Sequence, residues 1–557
     1  MNFKSDHSRR FLIQAIASLL SGWLMALSLP PHNASGTIWV ALVPIILANF
    51  LIPLPPPGFP LLSRFQLSSG AMGFWMGLLF FGTTLWWVGH VTIIGTCAHV
   101  LYLSLYFSIW NQLHHFWSNR FFKIEATRSP TPSQISLPYF GLAALSASSW
   151  TILEWIRGWM LGGFPWNGLA TSQYRVIPIL QWSSVGGTLL ITWWIVFVNV
   201  MIALAIRRFH QDIKTGRGYR RYLDLYLLMV TFLGVHLWGF FKIKTPADDS
   251  LKTLRYAAIQ PNVPQNEKYD LMSGTEILLR HLKLTQESIQ GFNPELILWP
   301  ETVCGKVYKT DFELRASVER VQKMGSFDFI MGTLDIAEDK TFNAAIWFPP
   351  LNSPVQGAIY HKNHILPFGE YTPFWDTFPR LGRWIPLPRG FDSGEQSALF
   401  SLYRSKVKIA PIICFEDTLS SLVRKVNQLQ PEVLINLTND AWFKDSPGAA
   451  QHLANAVFRT VEFDLPMIRC TNTGLTCQIN QKGIIEKIFQ DKNGNSIESE
   501  GALKGDLQWT QSKITPYEKF GDWILIVSAL FLLLGYRTGK GRINHQGTPN
   551  TPSKDSY

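Results

Sequence analysis

Apolar runs long enough to cross a bilayer recur through the first half of the chain, and nothing else in the sequence limits the possible folds so severely. A helix that traverses the hydrocarbon core needs about 17 to 25 mostly apolar residues, since no water is present there to satisfy an irregular backbone. Runs of this kind occupy residues 11–29, 37–52, 71–89, 98–116, 139–156, 188–206 and 222–241, and a shorter one occupies 521–536. They predict a polytopic α-helical membrane domain of about seven helices, with one more helix near the end and so about eight spans in total. Composition agrees, because only 16% of the 557 residues are charged, whereas soluble domains average about 25%.

The formal charge of +11 raises nucleic acid as a partner, but the position of the basic residues excludes it. They sit beside the apolar runs rather than in a patch interleaved with aromatics. Arg9 and Arg10 precede the first run, Arg64 follows the second, and Arg120, Lys123 and Arg128 follow the fourth. Six more, from Arg207 to Arg221, crowd the loop after the sixth, and Arg537, Lys540 and Arg542 follow the last. Alternate loops hold almost none, Arg157 and Arg175 being the exceptions. Cytoplasmic loops are the ones enriched in Lys and Arg. The amino terminus is therefore expected in the cytoplasm and the globular part on the far side, which in a bacterium is the periplasmic face of the inner membrane. The first run is long and lacks a small-residue cleavage site, so it reads as a span and not as a signal peptide.

Composition changes at about residue 254. Short β-like runs such as LRYAAIQ, ELILWPE, FDFIMGT, FNAAIWF, VKIAPIICFE and EVLINLTND alternate with segments of helical period at 275–289, 312–323 and 448–463. That alternation predicts an α/β sandwich. The expected division is 1–245 as the membrane domain, 246–518 as the globular domain, 519–537 as the final span and 538–557 as a disordered polar tail on the cytoplasmic side. Five cysteines, Cys97, Cys304, Cys414, Cys470 and Cys477, have neither disulfide-framework nor zinc spacing. No metal or cofactor is expected, and an odd number leaves at least one thiol unpaired.

Three of the β-like runs end on or run into reactive side chains. LILWPE delivers Glu301, GAIYHKNH carries Lys362, and VKIAPIICFED delivers Cys414. Taken singly, each has a plainer reading: an inert buried thiol, a turn-capping carboxylate, a solvated ammonium. Together at the carboxyl ends of strands, where open α/β folds bind their ligands, they would supply a nucleophile, a proton acceptor and an oxyanion stabiliser.

The ordered motifs RGWMLGGFPW, AAIQPNVPQ, LILWPET, HKNHILPFGEYTPF, ICFED, LINLTNDAWF and FRTVEFDLPMIRCTNTGLT resemble those of the apolipoprotein N-acyltransferases, a membrane branch of the nitrilase (carbon–nitrogen hydrolase) superfamily. The resemblance covers almost the whole chain. It implies a nitrilase-like α-β-β-α sandwich, with Glu301 as general base, Lys362 as oxyanion stabiliser and Cys414 as nucleophile. It further implies supporting roles for Glu370 and Glu416, and a substrate-lining role for Phe415 and Trp442, although a packing role suits Trp442 equally well. Phe415 stands where a tyrosine is common, and Lys444 and Ala449 depart from the family's pattern, while Gln451 and His452 keep it. His452 reads as a local hydrogen-bonding group rather than a base.

The activity implied is transfer of an acyl chain, from the sn-1 position of a phospholipid such as phosphatidylethanolamine, through a Cys414 thioester to the amino terminus of a diacylglyceryl-cysteine lipoprotein. The enzyme is expected to act as a monomer whose partners are the phospholipid donor, the apolipoprotein acceptor and the membrane. Phe164, Trp166 and Trp182 suit a membrane interface, as ordinary anchors or as part of a lipid-facing site. Two alternatives stand beside this reading: a membrane-tethered amidase that passes the thioester to water, and a transporter with a solute-binding domain. The runs lack the paired Gly/Pro breaks and buried ionisable residues of a transport site, Asp224 near a span end excepted.

Overall fold

The computed structural model describes residues 3–50, 68–125, 132–215, 222–244, 251–268, 274–367, 369–371 and 390–543. The amino-proximal part is a helical bundle of α1 (Phe3–Leu27), α2 (Val43–Asn49), α3 (Ser69–Thr84), α4 (Ile93–Glu125), α5 (Pro132–Arg157), α6 (Ile177–Leu180), α7 (Ser183–Thr215) and α8 (Leu223–Lys244). Among the described residues, four stretches are long and apolar enough to cross a membrane: Ser8–Leu27, Ile93–Phe121, Ser183–Lys214 and Leu223–Lys244. Helix length alone thus accounts for four of the eight expected spans.

Two expected spans are shaped differently. The run at 37–52 is a 3-10 turn, Ser35–Trp39, followed by α2, which has Pro44 in its first turn. Proline lacks the amide a helix interior needs and fits where a helix restarts. The run at 71–89 leaves α-helical geometry at Leu85 and closes with the 3-10 turn Trp86–His90. The ionisable exception Asp224 is paired with Arg208 at 3.0 Å, both buried, which ties α8 to α7.

The carboxy-proximal part comprises β1 (Lys252–Gln260), α9 (Gly274–Ile289), β2 (Leu296–Trp299), α10 (Phe312–Lys323), β3 (Asp328–Ala337), β4 (Lys340–Phe348), β5 (Ala358–His361), β6 (Phe400–Ser401), β7 (Lys408–Ile413), α11 (Ser420–Asn427), β8 (Val433–Thr438), α12 (Gly448–Phe463), β9 (Met467–Thr471), β10 (Cys477–Ile479), β11 (Ile485–Ile488) and β12 (Gly501–Trp509). Two six-stranded sheets form, ordered β12-β1-β2-β3-β4-β5 and β11-β10-β9-β8-β7-β6. Alternation along each strand divides its side chains between two cores. Leu254, Tyr256 and Ala258 of β1 meet Ile409 and Ile413 of β7 between the sheets, while Ala257 and Ile259 face α9 and α10. The outer side of the second sheet packs on α11 and α12, whose apolar residues merge with the core of the bundle. The layers are therefore α-β-β-α, and α12 is buried on nearly every side between sheet and bundle, with its polar stripe of Gln451, Asn455, Arg459 and Glu462 hydrogen-bonded inside that interior.

The chain returns to the bundle through α13 (Pro516–Phe520) and α14 (Trp523–Ile543). At Gly187, where φ is +68°, a Cβ would lie 2.6 Å from the Tyr517 ring, so only glycine admits α13 against α7. Helix α14 runs on to Ile543, past the expected start of the tail at 538, and residues 544–557 lie outside the described residues.

Candidate active site

Strands β1, β2 and β3 run parallel, β4 reverses and β5 reverses again, so β2 and β5 end at the same edge of the first sheet. Glu301 lies just past β2 and Lys362 directly after β5; Cys414 follows β7 of the second sheet. The carboxylate and ammonium thus come from one sheet and the thiol from the other. Glu301 is admitted by Gly332 on β3, where a Cβ would come within 2.6 Å of the Glu301 Cα. The next residue, Thr302, is left-handed at φ +42°, and the Val303 amide donates to the Gly332 carbonyl at 3.0 Å. Cys414 begins the 3-10 turn Cys414–Thr418 at φ +52°, a conformation costly for a side chain with a Cβ and concentrated at functional sites. Its carbonyl accepts from Asn436 Nδ2 at 3.0 Å, which helps to hold the turn.

Lys362, 2% exposed, directs Nζ to Glu370 Oε1 at 2.8 Å and to Glu301 Oε1 at 3.5 Å. Burial opposes its charge, but the two carboxylates outweigh burial and hold the ammonium charged well above the usual lysine range. Asn343 on β4 completes the cluster, with Nδ2 donating to Glu301 Oε1 at 2.7 Å and to Glu370 Oε1 at 3.2 Å. Glu370 Oε2 accepts from the Leu366 amide at 2.9 Å, which folds the lysine loop back on itself. Residues 368 and 372–374 of the motif HKNHILPFGEYTPF lie outside the described residues.

Cys414 is partly exposed. Desolvation and the nearby Glu301 carboxylate push its thiol well above the ordinary value, Lys362 pulls it down, and Asp440 pushes it up again. At rest the sulfur therefore holds its proton, and an adjacent base is needed to make the nucleophilic thiolate.

The remaining expected site residues occupy three different settings. Glu416 is fully buried and accepts from the Ile413, Asn363 and His364 amides at 2.7, 2.7 and 3.1 Å and from the Tyr360 hydroxyl at 2.9 Å. It joins the end of β7 to the lysine loop, and burial raises its carboxyl to about 7 against those hydrogen bonds. Phe415 is buried and lies between Trp166, with centroids 6.0 Å apart at 11°, and His364, 5.8 Å apart at 21°. Trp442 is 38% exposed, in the 3-10 turn Asp440–Phe443. Trp166 corrects the surface reading of its neighbourhood: it is 2% exposed and roofs Phe415 instead of anchoring at an interface.

Sequence reasoning did not find Asn343 or Lys268. Lys268 is 2% exposed, and its Nζ donates to the Glu301 carbonyl at 3.0 Å while its own carbonyl accepts from the Gly305 amide at 2.6 Å. It braces both ends of the loop carrying Glu301, and burial lowers its ammonium to about 8. Gln451 on α12 links bundle to sandwich. Its Oε1 accepts from the Trp87 and Trp166 indoles at 3.1 and 3.0 Å and from Asn167 at 3.3 Å, and its Nε2 donates to the Pro30 and Thr84 carbonyls at 3.3 and 3.0 Å. Its retention in QH was a signal in the sequence, but its partners were not. Among the described residues no group of three or more His, Cys, Asp or Glu side chains converges as metal ligands.

Comparison with known proteins accounts for both halves of the chain. Residues 21–201 match the family model described as the apolipoprotein N-acyltransferase N-terminal domain, and residues 255–497 match that of carbon-nitrogen hydrolase. The apolipoprotein N-acyltransferase of Geobacter metallireducens is 26% identical over 550 residues, covering 95% of this chain and 96% of that protein. That of Photobacterium profundum is 28% identical over 567 residues, covering 97% and 98%. Among solved structures, Saccharomyces cerevisiae Nit3, a member of branch 10 of the nitrilase superfamily, matches at 15% identity and TM-score 0.35, covering 47% of this chain and 93% of that one. With both family regions in order on one chain and relatives aligned nearly end to end, the chain is similar over almost its whole length to the apolipoprotein N-acyltransferases.

Proposed function

We propose that the chain transfers an acyl group from the sn-1 position of a membrane phospholipid, such as phosphatidylethanolamine, to the α-amino group of a diacylglyceryl-cysteine lipoprotein, through a thioester on Cys414. The observation that carries this reading is a thiol in a left-handed turn on one sheet, under the charge of the Glu301 and Lys362 pair on the other. In the first step Glu301 takes the thiol proton and the thiolate attacks the ester carbonyl. Negative charge then develops on the carbonyl oxygen, which the Lys362 ammonium neutralises; one such donor is typically worth about 100- to 1000-fold in rate. Collapse expels the lysophospholipid alkoxide, which recovers the proton from Glu301. In the second step the lipoprotein amine attacks the thioester, Glu301 accepts the ammonium proton, and Cys414 leaves as thiolate and is reprotonated.

Both substrates carry acyl chains whose exposure to water would cost about 0.8 kcal/mol per methylene, which favours a site opening at the bilayer. Trp166 from the bundle stacks on Phe415, the residue after Cys414, so the nucleophile turn lies against the apolar half of the chain, which favours a lipid-borne acceptor over the water of an amidase. On this reading residues 1–245 form the membrane domain, 246–518 the catalytic domain on the periplasmic face of the inner membrane, and 519–537 the final span, with a monomer sufficient for activity. Glu370 supports Lys362, Glu416 sets the Cys414 turn, and Phe415 and Trp442 line the substrate.

The test is to incubate the purified full chain with phosphatidylethanolamine and examine the Cys414 peptide by mass spectrometry. An added acyl group that is discharged by a diacylglyceryl-cysteine peptide is expected. An unmodified Cys414 in the wild type, or lipoprotein acylation by Cys414→Ala, refutes the reading.

A further inference from the structure

Beneath the Cys414 turn lies a group of four charged side chains that the proposed reaction does not use. Asp417 belongs to that turn, Asp440 opens the turn after β8, His452 lies on the first turns of α12 and Arg469 is in β9. None is more than 2% exposed. His452 Nδ1 is 2.8 Å from Asp440 Oδ1, and its Nε2 is 2.9 Å from Asp417 Oδ1. Arg469 pairs closely with Asp417 and lies 3.6 Å from Asp440. An imidazole with a carboxylate oxygen at each nitrogen carries both protons, so two anions face two cations and the quartet is neutral. Burial would discharge His452, yet Asp417 and Asp440 outweigh burial and Arg469, raising it to about 9.

A buried ionic cluster is a poor source of stability, because apolar residues of similar size often serve as well. Its position suggests a different use. One member is three residues from the nucleophile in the same turn, and both Asp440 and Arg469 act electrostatically on the thiol. The other charges that bear on Cys414 are Glu301, Lys362 and Lys268.

We propose that Asp417, Asp440, His452 and Arg469 form a charge-balanced platform of positioning residues, which locks the Cys414 turn to α12 and β9 and keeps net charge away from the sulfur. The proposal rests on Cys414 being the nucleophile, and its test separates the two claims.

The full chain in detergent is alkylated with iodoacetamide near pH 7, below the value of about 9 at which His452 gives up its charge; the labelling rate of the Cys414 peptide is read by mass spectrometry, and each variant is also assayed for acyl-Cys414 after incubation with phosphatidylethanolamine. His452→Gln leaves the platform at −1 and is expected to slow alkylation. Asp440→Asn leaves it at +1 and is expected to speed it. Each change is about tenfold in the thiolate fraction, as for a charge about 10 Å away at an effective dielectric of about 20. The double variant restores neutrality and is expected to return toward the wild-type rate, which a loosened structure would not do.

Should His452→Gln fail to fold, Asp417→Asn joins Asp440→Asn, and both are expected to speed alkylation. Single variants that share the wild-type rate, or that change it in one direction whatever the sign of their charge, overturn the platform even if Cys414 acylates. Opposite changes on a Cys414 that never acylates support the platform and refute the thioester reading instead.

Discussion

Asn343 is the residue through which the proposed base can be tested with least disturbance to the rest of the site. Its side chain is 2% exposed and donates to both Glu301 at 2.7 Å and Glu370 at 3.2 Å. Leucine matches its shape closely and donates nothing. The Lys362 amide would still donate to the main-chain carbonyl of residue 343 at 2.8 Å, and Lys362 Nζ would keep Glu370, so the loss falls mainly on the orientation of Glu301. A hydrogen bond to a charged group is worth about 1.5–3 kcal/mol. Transmitted to the barrier of the first step, the Glu301 bond alone corresponds to a fall of roughly 10- to 150-fold in rate. The assay is single-turnover acylation of Cys414 by phosphatidylethanolamine, followed by intact-protein mass spectrometry over a range of donor concentrations. Asn343→Leu is expected to lower the maximal acylation rate by that factor and to leave half-saturation by donor unchanged. Acylation within twofold of wild type, or a loss confined to donor affinity, would refute the argument that Asn343 orients the base.

Glu416→Gln must turn its amide nitrogen toward a main-chain N–H, losing one charged hydrogen bond and leaving a buried donor unpaired, at a cost of about 3–5 kcal/mol. A lowered unfolding temperature and faster exchange of the Ile413, Asn363 and His364 amides are expected, and wild-type exchange at those amides would disprove the anchoring role. Gln451→Leu strips the Trp166 indole of its acceptor, whereas Trp87 keeps the Thr84 carbonyl at 3.0 Å. An unpaired buried donor costs about 1–3 kcal/mol, so exchange at the start of α12 is expected to quicken, and no change there would remove Gln451 as the link between bundle and sandwich.

Stability is also expected to fall with rising pH. Burial raises Glu416 and Glu462 to about 7, so their contribution is present below the unfolded carboxyl value and is lost as pH rises through 7. His452, raised to about 9, contributes below its unfolded value near 6.5 and loses that contribution as pH rises through 9. Thermal unfolding should be highest in mild acid and decline from pH 6 to 9, with His452→Gln flattening the upper part of the decline; a wild-type profile rising with pH over that range would contradict these assignments.

The reactive side chains were legible because strand ends are marked locally. A β-like run that stops at Glu301, Lys362 or Cys414 announces its own carboxyl end, whereas the division of Leu254, Tyr256 and Ala258 from Ala257 and Ile259 came only with the two sheets in place. Apolar length likewise marked the bundle, but it overstated continuity where Pro44 restarts a helix and where Leu85 leaves one. It also left Trp166 as an interfacial aromatic, since an indole beside an apolar run reads the same whether it meets lipid or a second domain.

By itself, then, the sequence determined the helical and sandwich halves, the three strand-end groups and the residue types of the candidate chemistry, all of which follow from spacing along one chain segment. Only the tertiary structure decided that Asn343 bridges two carboxylates, that Lys268 braces the Glu301 loop, that Gln451 joins α12 to three segments of the bundle, and that Asp417, Asp440, His452 and Arg469 neutralise one another under the nucleophile turn. Those partners lie tens to hundreds of residues apart. A buried polar group leaves no periodicity in the sequence, and its hydrogen bonds and charge balance exist only once folding has excluded water and brought its partners within reach.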